Sequence, residues 1–353
     1  VWGEFFVNNP FFGVFLHAIG GLAAASFYIP FKKVQHWSWE SYWLVGGVFS
    51  WLVAPWVVAA LTAPNVLQIL SASPASSLVW CYLFGVLWGV GGLTFGLSMR
   101  YLGMSLGYAI ALGFCAAFGT IIPPLFAGQF GELISNLAGV VTLSGVVVCL
   151  VGISFCGLAG IRKEKELPIE EKKKTVIEFD LWKGIWVALF AGVMSACMSF
   201  GINAGKPIAD MAVQFSTPDI WKNTPVFIII LAGGFTTNLI WCLYLNYKNN
   251  TWGDYVRLID TPIVFNYLFS ALAGVTWYLQ FMFYGMGTTQ MGKYDFGSWT
   301  IHMAFIIIFS NIWGWSFHEW KGVSKRTHRL VWIGVGILLL STIVVGLGNY
   351  LAE

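Results

Sequence analysis

Ten apolar runs divide the chain, near residues 11 to 31, 41 to 62, 77 to 101, 104 to 127, 137 to 160, 181 to 202, 225 to 247, 263 to 286, 296 to 316 and 330 to 350. Each has the roughly 18 to 25 residues that a helix needs to cross the hydrocarbon of a bilayer. In lipid every backbone N–H and C=O must find its partner inside the protein, so apolar runs of this length specify helices. Composition agrees: 58% of the 353 residues are hydrophobic and only 10% are charged, against about a quarter charged in soluble domains. The fold class expected is an all-α integral membrane protein with ten transmembrane helices. Cys81, Cys115, Cys149, Cys156, Cys197 and Cys242 all fall inside the runs, where they read as small apolar residues rather than a disulfide framework.

Two echoes run through the chain. GVLWGVGGLTFGLSMRYLG (Gly85 to Gly103) lies over GVTWYLQFMFYGMGTTQMG (Gly274 to Gly292), with Gly85, Val86, Trp88, Gly96 and Gly103 falling on Gly274, Val275, Trp277, Gly285 and Gly292. AAASFYIPFKK (Ala23 to Lys33) lies over ACMSFGINAGK (Ala196 to Lys206). The echoes keep their order, as an internal repeat requires. Between them stands IRKEKELPIEEKKKTVIEFD, the strongly charged segment. It marks 1–160 as a first five-helix repeat, 161–180 as a charged cytoplasmic linker and 181–353 as a second five-helix repeat. An odd number of spans per half inserts the second half upside down, the two-inverted-repeat plan of many secondary transporters, with a site where the halves meet.

Orientation follows from the basic residues. With the amino terminus outside, fifteen of the nineteen Lys and Arg fall on cytoplasmic loops, including Arg100, Lys172, Lys173, Lys174 and Arg257, so both termini are expected outside. VWGEFFVNNP has no basic stretch ahead of the first run, which is read as a retained span.

Several residues stand out against this apolar background. His17 lies within the first run, and Glu40 opens the second, where a snorkelling or Lys-paired interfacial carboxylate is expected. Gly85, Gly89, Gly92 and Gly96 have the spacing of tight helix contacts, and Trp88 among them suits a space between helices better than a lipid face. Pro123 and Pro124 should break or kink the fourth span. SFGINAGKP (Ser199 to Pro207) should interrupt the sixth; Asn203 there is a ligand candidate or a helix cap. Asn238 should bond across to another helix or to a ligand. Trp277, Gln280 and Tyr284 share one helical face, with Phe281 beside it, and rings plus an amide suit a sugar. Asp295, Trp299 and His302 follow at intervals of four and three, which predicts carboxylate, indole and imidazole on one face. Ionisable groups inside a span are functional candidates by default, and these could exchange a proton; the alternative for Asp295 is a pair with Lys293. GTTQMGKY imitates a phosphate loop but carries Tyr294 where Ser or Thr should stand. The sequence lacks the usual metal and nucleophile motifs, and no segment suits nucleic acid.

The strings SFYIPFKKVQHWSWE, GLSMRYLGMSLG, SFGINAGKP, GVTWYLQFMFYGMG and YDFGSWTIHMAF resemble, in this order, those of the L-rhamnose/proton symporters, a family of the drug/metabolite transporter superfamily. The resemblance runs from His17 to Trp320. It implies a ten-helix carrier of two inverted five-helix repeats that imports L-rhamnose with a proton. Matching positions include His17, Lys33, Trp39, Glu40, Arg100, Asn203, Lys206, Asn238, Gln280, Tyr294, Asp295, Trp299 and His302. Gly91 and Gly92 replace polar residues expected there, and the linker is longer.

On this reading sugar rests on Trp88, Trp277 and Tyr284, oriented by Asn203, Asn238 and Gln280 with Trp299 beside them, while Asp295, His302 and His17 carry the proton. No cofactor is expected beyond that proton, sodium being the alternative ion. The partners expected are L-rhamnose or a related sugar and membrane lipid, in the inner membrane, with oligomeric state unspecified. Two alternatives stay open: a carrier of another sugar or metabolite, and a membrane-embedded enzyme using Asp295 and His302 as acid and base.

Overall fold

The computed structural model describes residues 9–102, 104–166, 180–256, 262–318 and 320–352. Most of the expected linker, with Lys172, Lys173 and Lys174, lies outside the described residues, as do Arg257 and the echo residue Gly103. Among the described residues the secondary structure is helical, with no strand. α1 (Pro10–Ser26) and the short α2 (Tyr28–Phe31) fill the first run. α3 (Trp39–Val48), a π-helical turn (Phe49–Val53) and α4 (Ala54–Thr62) fill the second. α5 (Val66–Ala72) leads to α6 (Ala75–Leu102) and α7 (Met104–Phe126), and α8 (Phe130–Ser135) to α9 (Leu137–Glu166). Then come α10 (Leu181–Ala204), α11 (Lys206–Gln214), α12 (Thr224–Asn249), α13 (Ile263–Thr288), α14 (Gly297–Ser316) and α15 (Lys325–Tyr350).

Helices therefore occupy all ten apolar runs. Among the described residues seven segments are both long and apolar enough to cross a membrane: Pro10–Phe31, Trp39–Thr62, Ala75–Ser98, Leu137–Lys163, Trp182–Gln214, Asp219–Asn249 and Lys325–Tyr350. α7, α13 and α14, of 23, 26 and 20 residues, fill the other three runs. α13 and α14 carry the amide, imidazole and ring side chains singled out above, which lowers their hydropathy. The proline pair does not break α7, which runs on to Phe126. α9 extends to Glu166, so the linker's first six residues are helix. The sixth run is interrupted at Gly205, between α10 and α11, where a Cβ would lie 2.2 Å from Val226.

The chain packs as two units. The first comprises Val1–Leu22, Gly91–Phe200 and Met286–Glu353, the second Ala23–Val90 and Gly201–Gly285. Each draws on both halves of the sequence, and α1, α6, α10 and α13 contribute residues to both.

In the first unit α9 lies against α15. A Cβ at Gly348 would stand 2.3 Å from Thr142 Oγ1, and one at Gly145 would stand 2.5 Å from Val345 Cγ2. Lipid offers no hydrophobic drive between helices, so close backbone approach at small residues replaces it. Glu166, at the end of α9, accepts hydrogen bonds from Ser324 N (2.6 Å), Ser324 Oγ (2.7 Å) and Thr327 Oγ1 (2.7 Å). An anion at a helix start is favourable. The backbone N–H of Ser324 and the two hydroxyls hold this carboxyl below its ordinary value.

In the second unit α6 crosses α12 at glycines on both sides: a Cβ at Gly85 would lie 2.0 Å from Ile230 O, and one at Gly233 would lie 2.2 Å from Tyr82 O. α3 and α13 meet in the same way, a Cβ at Gly274 falling 2.1 Å from Gly46 O. The expected small-residue contact thus forms at Gly85 and Gly89. Gly92 and Gly96 instead face open space. The π turn also has a local cause. Pro55 has no N–H for the carbonyl four residues earlier, at Trp51, and the turn ahead of it widens so that the Ala54 N–H reaches Phe49 O, five residues back.

Candidate functional site

The residues singled out above divide between the units: His17, Asp295, Trp299 and His302 belong to the first, and Trp88, Asn203, Asn238, Trp277, Gln280 and Tyr284 to the second.

In the first unit His17 and His302 are sealed from solvent, at 0% and 1% exposure, with ring centroids 6.3 Å apart. The space for them comes from a missing side chain, because a Cβ at Gly287 would lie 2.7 Å from His17 Cε1. The Trp299 centroid is 6.4 Å from that of His302. Trp299 Nε1 donates to Cys115 O at 3.0 Å, and the indole lies over Gly119 of α7, where a Cβ would be 2.2 Å from Nε1. At the next residue of each helix, Thr120 and Thr300 share a hydrogen bond of 2.7 Å. Trp299 therefore ties α14 to α7. Asp295 is half-buried and precedes α14, its carbonyl accepting from Ser298 N at 3.0 Å. The expected stripe is thus a helical face only for Trp299 and His302, with Asp295 in the turn that leads into it. Lys293 forms its ion pair with Glu132, and Tyr294 donates to Asn136 Oδ1 at 3.0 Å, which fastens that turn to α8 and the start of α9.

In the second unit aromatic rings form a closed circuit. Centroid separations are 6.3 Å for Phe27–Trp43, 6.1 Å for Trp43–Trp51, 6.1 Å for Trp51–Trp88 and 5.6 Å for Trp88–Phe281. The circuit returns through Phe281–Trp277 at 6.2 Å and Trp277–Phe27 at 4.2 Å. All six are tilted or edge-to-face, the arrangements that ring quadrupoles favour. Gly234 makes the gap for Trp88, since a Cβ there would lie 2.5 Å from the indole. Asn238 bonds within the protein on both sides, donating to Gly234 O at 2.9 Å and accepting from Trp43 Nε1 at 3.1 Å. It positions a ring of the circuit. Gln280 and Tyr284 are buried on α13, at 3% and 4% exposure, and Asn203 is half-buried in the last turn of α10.

Glu40 is not where the sequence reading put it. It is 4% exposed and accepts from Asn249 Nδ2 at 2.9 Å and Thr251 Oγ1 at 3.0 Å. Both donors are neutral, which replaces the snorkelling or Lys-paired carboxylate. Its neighbour Asp254 accepts from Ser38 N and Ser41 Oγ, each at 2.8 Å, so two carboxylates bind the start of α3 to the end of α12 and the turn after it.

A family model described as L-rhamnose-proton symport protein (RhaT) matches residues 6–351. A Cronobacter sakazakii protein named L-rhamnose-proton symporter is 40% identical over 95% of this chain and 97% of its own length. Proteins of the same name from Klebsiella pneumoniae and Escherichia coli are each 38% identical over the same shares. The chain belongs to the RhaT family. RhaT proteins are transporters, which sets aside the reading of Asp295 and His302 as an enzyme's acid and base.

Sequence reasoning about this RhaT-family chain missed two features. The burial of Glu40 had no local signal, because its partners Asn249 and Thr251 are over 200 residues away. The π turn did have one, in the pairing of Trp51 with Pro55 four residues later.

Proposed function

We propose that the chain imports L-rhamnose, a 6-deoxyhexose, together with a proton across the inner membrane by alternating access. The observation that carries this reading is the family match over residues 6–351, with relatives named for that sugar and that ion. The division of residues supports it. In the second unit Trp88 and Trp277 offer ring faces to the C–H side of a pyranose, and Asn203, Gln280 and Tyr284 offer hydrogen bonds to its hydroxyls. In the first unit Asp295 takes the coupling proton, and His302 and His17 relay it across their 6.3 Å ring separation. Trp299 and Asn238 act by positioning His302 and Trp43. The proton is the coupling species, sodium the alternative, and no other cofactor is invoked.

The same reading takes all ten helical runs as spans, in two inverted five-helix repeats flanking the charged linker, with both termini outside. The distribution of helices supports it. The first and third helices of each proposed repeat, α1 and α6, then α10 and α13, contribute to both units. The second, α3 with α4 and then α12, belong to the second unit, while the fourth and fifth, α7 and α9, then α14 and α15, belong to the first.

Counterflow of labelled L-rhamnose in proteoliposomes tests the cargo, and a thermal-shift panel of other sugars tests the alternative, since a true ligand stabilises the folded state by mass action. Adding L-rhamnose to energised vesicles should alkalinise the outside, and Asp295→Asn should end that while exchange continues. Transport that tracks sodium and ignores pH would overturn the proton assignment.

A further inference from the structure

In the first unit the end of α14 lies beside the start of α15, and Ile312, Trp315, Trp332 and Val335 line a half-open surface groove between them. The Trp315 and Trp332 rings meet edge to face with centroids 4.8 Å apart, and they are 47% and 46% exposed. His328 completes the group, its ring 6.2 Å from that of Trp315 and its Nδ1 3.2 Å from Ser324 O. Neither indole N–H has a hydrogen-bond partner among the described residues. Tryptophan exposed on a spanning helix suits the level where hydrocarbon gives way to headgroups, with its ring in the one and its N–H in the other.

Four exposed cations stand at this end: Lys321, Lys325, Arg326 and Arg329. None of them forms an ion pair among the described residues. The nearby carboxylate of Glu166 is already taken up by Ser324 and Thr327. Residues three and four apart share a helical face, so Lys325, Arg329, Trp332 and Gly336 form one stripe down α15, about 16 Å long at the helical rise. A Cβ at Gly336 would meet nothing within 4 Å. The stripe therefore passes from positive charge to an indole donor and then to an apolar gap.

We infer that this face holds an anionic phospholipid, its phosphate on Lys325 and Arg329, its ester oxygens at the Trp332 N–H and an acyl chain along Ile312, Val335 and Gly336. The order of groups along the stripe is the order of groups along such a lipid. A zwitterionic lipid brings its own cation beside the phosphate and gains less from unpaired Lys and Arg, and a free phosphate has nothing to lay in the groove. The site goes beyond the transport reading and asks only that α15 spans the bilayer, as its length and hydropathy allow.

Thermal unfolding of the full chain in neutral detergent, titrated with phosphatidylglycerol or with phosphatidylcholine of the same chains, tests this. Phosphatidylglycerol should stabilise the protein at the lower mole fraction, because a ligand of the folded state stabilises it by mass action. Lys325→Gln and Arg329→Gln should each raise the mole fraction needed roughly five-fold, the contribution of one basic residue at an anionic surface. Lys248→Gln, which removes an exposed cation on α12, should leave it unchanged. Should one stripe variant fail to assemble, the other decides by the same titration. Equal stabilisation by the two lipids, an unchanged response in the stripe variants, or an equal loss in Lys248→Gln would overturn the site. Inorganic phosphate that stabilises as well as phosphatidylglycerol would overturn it too, by removing the lipid.

Discussion

His17 and His302 in the first unit are shut away from solvent, whereas in the ring circuit of the second only Trp51 and Phe281 are buried and Phe27, Trp43, Trp88 and Trp277 are half-buried. The imidazoles sit where Gly287 leaves a gap and where Trp299, its N–H bonded to Cys115 O, is fixed against α7. In the second unit Gly234 leaves room for the Trp88 indole, and the carboxylate of Glu40 is held by an amide and a hydroxyl. One region therefore offers groups able to gain or lose a proton. The other offers a mostly neutral surface able to recognise a neutral solute, with Glu40 as the one buried charged residue among those described there. A symporter needs both kinds of chemistry, and on the proposed function they fall to different packing units.

The largest expected effect tests this division. Asp295→Asn should abolish accumulation of L-rhamnose above equilibrium while counterflow persists, and Glu40→Gln, which keeps the hydrogen-bonding shape, should still accumulate sugar. If the outcomes are reversed, the coupling proton belongs to the second unit and the comparison fails. Helix crossing gives the next effect. Gly85→Ala forces a Cβ toward Ile230 O and should cost about 1–3 kcal/mol or prevent assembly, whereas Gly92→Ala, in open space, should change stability by less than about 0.5 kcal/mol. Thermal unfolding in detergent compares the two. A smaller change sharpens the reading of the circuit. Asn238→Leu leaves Trp43 Nε1 without its acceptor and should cost about 1–3 kcal/mol, with a raised KM for L-rhamnose if Trp43 must be held in place.

The smallest effect concerns the carboxylate staple of the first unit. Glu166 titrates below its ordinary value because Ser324 and Thr327 bond its charged form. Its contribution is therefore complete above the unfolded value of 4.5 and is lost as pH falls through the folded value. Thermal unfolding followed between about pH 3 and 7 should show a shallower acid-side loss in Glu166→Gln than in the wild type.

Much of this architecture was legible because lipid leaves the backbone few choices. Run length placed helices in all ten runs, and glycine spacing anticipated the crossing at Gly85. It failed at Gly92 and Gly96, since spacing defines a face without naming what lies opposite. Rings and amides on α13 were legible from helical periodicity, and so was a bond from Asn238 across to another helix, but not that its partner is Trp43, 195 residues away in sequence. The stripe from Asp295 began too early because a 3₁₀ turn at Gly292–Tyr294 and the residues after it precede α14. Glu40 was misjudged for want of its distant partners.

Pro55 stands directly beyond the wide turn that presents Ser50 and Trp51. An extra residue in a helix can travel along it, and each step swings the side chains it passes by about 100° around the axis. An imino acid stops that travel, because the turn it follows has no ordinary bond to revert to. The direction in which the Trp51 side chain leaves the helix is thereby tied to the position of Pro55.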